Sequence, residues 1–131
     1  FAYGSCTTPK ITVILRKAYG GSYLAMCSQE MGADMFFAWP TAEIAVMGAE
    51  GAASGVFKKE IDAAEDPVAR RQEMIQEYKD IYSTPFMAAA RGLVDDVIDP
   101  ADTRRYVAMA LETLINKREL RPAKKHGLGP V

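Results

Sequence analysis

A glycine pair set between a strand-like run and an amphipathic stretch constrains this chain more than any other feature. Residues 18–23 read Ala-Tyr-Gly-Gly-Ser-Tyr and follow the β-branched, apolar run at residues 11–15 after Arg16-Lys17. Glycine lets the backbone turn tightly and lets a ligand approach it closely. The turn leaves N–H groups uncovered at a helix start, and such a start holds an oxyanion without any side-chain acid or base. The candidate donors are the N–H groups of Gly21 and Ser22 within Tyr19-Gly20-Gly21-Ser22. A plain strand-to-helix turn with no ligand has the same pattern, so at this level both readings stand.

The flanking patterns suggest an α/β arrangement. Residues 9–16 form a buried strand, and residues 22–31 an amphipathic helix with Leu24, Cys27 and Met31 on one stripe, stopped by Gly32. Residues 35–39 form a second strand ended by Pro40, and residues 43–47 a third. The small-residue segment from Gly48 to Gly55 opens another helix, and the mixed-charge residues 58–65 read as solvated chain. Asp66-Pro67 combines an N-cap with a first-turn proline, which predicts a helix to Tyr82 with Met74, Ile75, Tyr78, Ile81 and Tyr82 as its stripe. Thr84-Pro85 ends it, a short helical turn follows to Arg91, and residues 93–98 read as strand around Asp95 and Asp96. Asp99-Pro100 repeats the cap signal, before a helix with Val107, Leu111, Leu114 and Ile115 on one side. No internal repeat is visible, and the order β-α-β-β-α predicts an α/β fold.

Other candidate chemistry is sparse. Gly48-Ala49-Glu50-Gly51 offers a second helix-start anion site, or Glu50 as a base; close packing of small residues is the competing explanation. It is not a P-loop, because no Gly-Lys-Ser/Thr follows at the required spacing. His126, the one histidine, lies in a basic Gly/Pro-rich tail, a poor place for a preorganised base. Asp95 and Asp96 are adjacent and face opposite ways in extended chain, so they make no carboxylate dyad. Cys6 and Cys27 match no metal spacing and no CxxC motif. They read as reduced thiols of a cytoplasmic protein, with a single disulfide as the alternative. An enzyme built from this chain has to work through backbone donors and positioning, which suits enolate chemistry on thioesters.

Composition closes several routes. A chain of 131 residues with 49% apolar content supports one domain with a sizeable core. A formal net charge of −1 gives no electrostatic case for nucleic acid. Charged residues interrupt every apolar run before the ~18 residues a membrane helix needs. The opening residues Phe1-Ala-Tyr-Gly read as the end of an element, so upstream sequence is expected.

Several blocks resemble the C-terminal half of biotin-dependent acyl-CoA carboxyltransferases. They are residues 9–23, Met31-Gly32-Ala33-Asp34, residues 38–48, Ala89-Ala90-Arg91-Gly92, residues 94–100, Arg104-Arg105, and residues 117–127. The resemblance covers nearly the whole chain and implies a crotonase-like β-β-α superhelix, here as part of the C-terminal domain, without the CoA-binding domain. In such subunits one domain binds the CoA thioester and the other binds biotin, and two protomers share each active site. The implied assembly is a homo-oligomer, a hexamer of the full subunit, served by a biotin carrier protein. Gly21 and Ser22 would be the oxyanion hole set against the biotin carbonyl, and Tyr19, Gly20, Tyr23 and Leu24 would line the substrate or biotin pocket. Leu24 stands where propionyl-CoA carboxylases tend to carry Asp, and residues 24–29 look more like the α subunit of methylmalonyl-CoA decarboxylases. Ser22 replaces a common Ala, and Ser54 a frequent Asn. A decarboxylase would couple to a membrane sodium-pump subunit, a propionyl-CoA carboxylase to a biotin carboxylase. Half of each site would be missing from this chain, so alone it is expected to be inactive. A non-catalytic assembly module is the rival from another class.

Overall fold

The computed structural model describes residues 1–123. After a short helix α1 (Ala2–Ser5), the chain runs through two successive β-β-α units. The first comprises β1 (Ile11–Ile14), β2 (Lys17–Tyr19) and α2 (Gly20–Ala25). The second comprises β3 (Met35–Ala38), β4 (Glu43–Ala45) and α3 (Ala49–Ser54). Corresponding strands pair in parallel, Ile11 with Met35 in one sheet and Lys17 with Glu43 in the other. Each unit is therefore one turn of a superhelix, as the resemblance implied. Helices α4 (Lys58–Asp62), α5 (Pro67–Tyr82) and α6 (Pro85–Ala90) follow, then β5 (Asp96–Val97) and α7 (Thr103–Thr113). β5 joins the first sheet, whose order is β1-β3-β5.

The first sheet is covered on both faces, which is why its strands are almost wholly apolar. Alternation along β3 sends Phe36 to one side, in a cluster with Ile14, Ala38, Ile44, Ala88 and Val94. Phe37 points to the other side and meets Ile98, Ala110 and the Tyr106 ring, edge-on at 5.4 Å. A third cluster, Ala53, Ile61 and Met74, joins α3, α4 and α5.

The Asp66-Pro67 signal sets the start of α5 as expected, whereas Asp99 caps only a 3-10 turn, Pro100–Asp102, and α7 begins after it with no side-chain cap. Asp66 accepts from the N–H groups of Val68 and Ala69, and Thr84 accepts from Met87 N–H. Elsewhere tertiary contacts override the sequence pattern. Lys17–Tyr19 is a strand, not a turn, because it pairs with β4. Residues 22–31 are not one helix. α2 ends at Ala25, and Cys27 sits at φ 69° with its carbonyl accepting from Thr12 Oγ1 at 2.8 Å. Gly32, at φ 87°, closes the separate 3-10 turn Gln29–Met31. The third strand stops at Ala45, and residues 58–62 form a helix that buries Ile61. On α7 the face that meets the sheet is Tyr106 and Ala110, leaving Leu111 and Ile115 exposed. Both cysteines carry free thiols, Cys27 buried and Cys6 half-buried. His126 lies outside the described residues.

Distant segments meet at Asp34. Its Oδ2 accepts from Lys10 N–H at 2.7 Å and from Lys117 Nζ at 2.8 Å, and Lys117 Nζ also donates to Thr8 O. Burial raises the Asp34 carboxyl, but the Lys117 bond, the Lys10 N–H and the two lysine charges outweigh it and hold it below its ordinary value. A carboxyl lowered on folding contributes stability that is present above its unfolded value of about 4 and lost as pH falls below it. Lys117→Met is expected to cost about 2 kcal/mol at neutral pH. The cost should shrink as acid protonates Asp34, and equal unfolding midpoints for the two proteins at neutral pH would refute the tie.

Candidate functional site

Where β2 passes into α2, the backbone turns on Gly20 at φ +53°. A Cβ there would lie 2.8 Å from the Val46 carbonyl oxygen, so only glycine fits between β2 and the chain leaving β4. At Gly21 a Cβ would meet nothing within 4 Å, so the backbone is open on that side. No side chain caps the start of α2. The first-turn N–H groups have no partner within a helix and are left to face whatever lies beside them.

Beside the Gly20-Gly21 turn lies a cavity of about 590 Å³. Gly20, Gly21, Tyr23 and Leu24 line it from α2, and Ile44, Ala45 and Val46 from β4 and the loop after it. The far walls come from Phe57, from Tyr78 and Tyr82 on α5, and from Met87, Ala88, Arg91 and Leu93 around α6. This volume and this largely apolar lining suit a small organic ligand held by a few polar groups. Arg91 is the one charged side chain on the wall among the described residues.

Four of the six expected site residues thus meet at one cavity: Gly20, Gly21, Tyr23 and Leu24. Tyr19 and Ser22 are not on its wall. The Tyr19 hydroxyl donates to Glu43 Oε2, and its ring packs 3.4 Å from where a Gly48 Cβ would stand. Burial, then the bond to Glu43 and its charge, push the Tyr19 hydroxyl up to about 12. Ser22 turns its hydroxyl back to the Tyr19 carbonyl, so only its backbone N–H is left for chemistry. The Tyr23 hydroxyl is buried without a hydrogen-bond partner among the described residues. Burial, then the Glu30 charge, push it up to about 12, so it stays a neutral donor.

The remaining sequence candidates are structural. Gly48 and the buried Ala49, Ala52 and Ala53 pack α3 closely, and Glu50 is exposed. Asp95 accepts from Phe36 N–H and Gln29 Nε2, both at 2.8 Å, and so ties β3 to the segment before β5. Among the described residues no group of three potential ligands could hold a metal ion, and no helix is long and apolar enough to cross a membrane. From sequence Tyr78 and Tyr82 fall in a helix stripe and Arg91 in a family-like block, with nothing to place any of them at a site. The Tyr78/Tyr82 spacing was visible, but it reads as core stripe unless α5 is known to face α2.

The family model described as carboxyl transferase domain matches residues 1–128. The 12S subunit of methylmalonyl-CoA carboxyltransferase from Propionibacterium freudenreichii subsp. shermanii is 66% identical over 130 residues, which is 99% of this chain and 25% of that protein. Methylmalonyl-CoA decarboxylase subunit alpha from Propionigenium modestum is 52% identical over 131 residues, 100% of this chain and 25% of that protein. A crystal structure of the transcarboxylase 12S hexamer with methylmalonyl-coenzyme A and methylmalonic acid bound matches with a TM-score of 0.92 at 66% identity, covering 99% of this chain and 25% of its own. The β subunit of P. aeruginosa geranyl-CoA carboxylase matches with a TM-score of 0.74 at 27% identity, again covering 99% of this chain and 25% of its own. The chain spans about a quarter of the length of the curated relatives it matches.

Proposed function

The chain belongs to the carboxyl transferase family, and from that membership we propose that it forms the C-terminal, biotin-side part of a subunit that moves a carboxyl group between an acyl-CoA and protein-linked biotin. The observation that carries this reading is the position of Gly20 and Gly21 on the wall of the apolar cavity, at a helix start that no side chain caps. The names of relatives at 66% and 52% identity support methylmalonyl-CoA as the carboxyl donor.

In that direction the bond between the α-carbon and the carboxyl carbon breaks, and its electron pair stays on the α-carbon as a thioester enolate. The carboxyl carbon would pass to the ureido nitrogen that bound biotin supplies, in exchange for that nitrogen's proton, which would complete propionyl-CoA at the α-carbon. Biotin supplies a nitrogen whose nucleophilicity rises as negative charge gathers on its ureido oxygen. The N–H group of Gly21, on the cavity wall, is assigned to that oxygen, with the N–H of Ser22, a residue off the wall, as its expected partner. Donors already aimed at a developing charge need no reorganisation when the charge appears. Tyr23 and Leu24 shape the pocket, and Tyr19 holds β2 against β4 through Glu43.

The assigned role is that of a methylmalonyl-CoA decarboxylase α subunit, with the propionyl-CoA carboxylase β subunit as the alternative. Identity does not separate them, at 52% to one decarboxylase subunit and 53% to one propionyl-CoA carboxylase β chain. The proposed assembly is a cytoplasmic homo-oligomer, a hexamer of the complete subunit, that receives a biotin carrier protein. A membrane sodium-pump subunit would complete a decarboxylase, and a biotin carboxylase a carboxylase. An assembly module without catalysis would have no use for the cavity beside Gly20 and Gly21. The exposed apolar residues Ile81, Leu111 and Ile115 fit subunit packing in either case.

The test is to incubate the complete subunit with biotin and either methylmalonyl-CoA or malonyl-CoA and to measure decarboxylation. Biotin-dependent turnover that favours methylmalonyl-CoA is expected, and none from the 131-residue chain alone. Absence of turnover by the complete subunit with both substrates would overturn the assignment.

A further inference from the structure

Among the described residues Arg91 is the single ionised side chain on the wall of a cavity otherwise built from glycine backbone, aliphatic groups and aromatic rings. It follows α6 directly, with its own N–H bonded back to Ala88 O. Its exposed guanidinium forms no ion pair and no side-chain hydrogen bond with any described residue; Arg16 and Arg104 share that state, but neither lies on the cavity wall. An anion enters an apolar cavity only if a counter-charge there offsets the water it loses. The planar guanidinium fork matches the two oxygens of a carboxylate better than a lysine point charge does.

We propose that Arg91 is the specificity residue for the migrating carboxyl group, pairing with it as a carboxylate on the acyl α-carbon. This rests on the carboxyl-transfer reading and adds to it a cation that the backbone donors cannot replace. Neutral N–H groups suit an oxygen whose charge develops during reaction, whereas a full negative charge in the ground state calls for a full positive one. The guanidinium then separates an acyl-CoA that brings the carboxylate from one that lacks it, since the CoA portion is common to both.

The test compares the binding of methylmalonyl-CoA and of propionyl-CoA to the complete subunit by calorimetry, without biotin. Arg91→Gln should weaken methylmalonyl-CoA at least about tenfold and leave propionyl-CoA within about twofold. Arg91→Lys, which keeps the charge and loses the fork, should fall between wild type and Arg91→Gln, and it remains informative if Arg91→Gln does not fold. Arg104→Gln, which removes a cation from α7 and not from the cavity wall, should bind both as wild type does. Equal weakening toward both acyl-CoAs would overturn the proposal, because it would mark a contact to the common CoA portion or a purely structural role. Unchanged binding of methylmalonyl-CoA by Arg91→Gln would overturn it as well. Failure of the underlying reading looks different: wild-type subunit would then show no biotin-dependent transfer at all.

Discussion

In the complete subunit, Gly21→Pro is expected to lower kcat for carboxyl transfer by about 10²–10³-fold, the usual cost of removing one oxyanion donor. Proline deletes the N–H and little else at this position. Gly21 is the second residue of α2, where the N–H has no intrahelical partner and proline's fixed φ is compatible with the first turn. A side chain there meets open space. The preceding residue, Gly20, already lies outside the right-handed region that proline disfavours for its predecessor. Assembly, read by sedimentation, should therefore persist. Two controls separate the donor from the side chain. Gly21→Ala keeps the N–H and should retain transfer within a few fold. Ser22→Ala should do the same, because the Ser22 hydroxyl is spent on the Tyr19 carbonyl and only its backbone is assigned to chemistry. Wild-type transfer by Gly21→Pro would remove Gly21 from the oxyanion hole.

How much of this was legible beforehand depends on the range of the interaction. Local chemistry read correctly: Asp66-Pro67 opens α5 and Pro67–Tyr82 are its bounds, and Gly48 opens α3. The misreadings fall where a distant segment decides. Lys17–Tyr19 carries a lysine and only three residues, too little for a strand signal, and becomes one only because β4 lies alongside. A stripe of Leu24, Cys27 and Met31 favours a continuous helix, yet Thr12 on β1 captures the Cys27 carbonyl and the chain breaks there. On α7 large apolar residues define one stripe, but the small Ala110 faces the sheet because Tyr106 needs room against Phe37. The superhelical repeat was invisible for the same reason. Its two units share geometry and pairing, not residues.

The site divides along the same line. The glycine pair and its two pocket neighbours are contiguous in sequence, so a motif displays them together. The opposite wall comes from residues 57–93, and only the return of α5 and α6 across β4 brings it to α2. Arg91 was visible as part of an Ala-Ala-Arg-Gly block, but its place on the cavity wall, without an ion-pair partner among the described residues, is a tertiary fact.

Gly20→Ala is expected to destabilise the fold by about 2–4 kcal/mol, while Gly21→Ala one residue away stays within about 1 kcal/mol of wild type. The chemical change is the same, so the contrast isolates geometry. At Gly20 the new methyl would sit 2.8 Å from the Val46 carbonyl oxygen, on a backbone held at φ +53°. Neither strain relaxes cheaply. The carbonyl belongs to main chain that leaves β4 directly, and β4 is paired through Ala45 to Tyr19, the residue before Gly20. Moving Val46 away pulls on the same ladder that sets the turn. Relief by rotating Gly20 out of the left-handed region would re-aim the first turn of α2 and carry the Gly21 N–H off the cavity. Both routes shift facing walls of the cavity, because Gly20 and Val46 each line it. A lower urea midpoint and weaker carboxyl transfer should therefore appear together in Gly20→Ala, and neither in Gly21→Ala. Equal midpoints for the two variants would show that the β2–α2 turn yields more readily than its contacts imply.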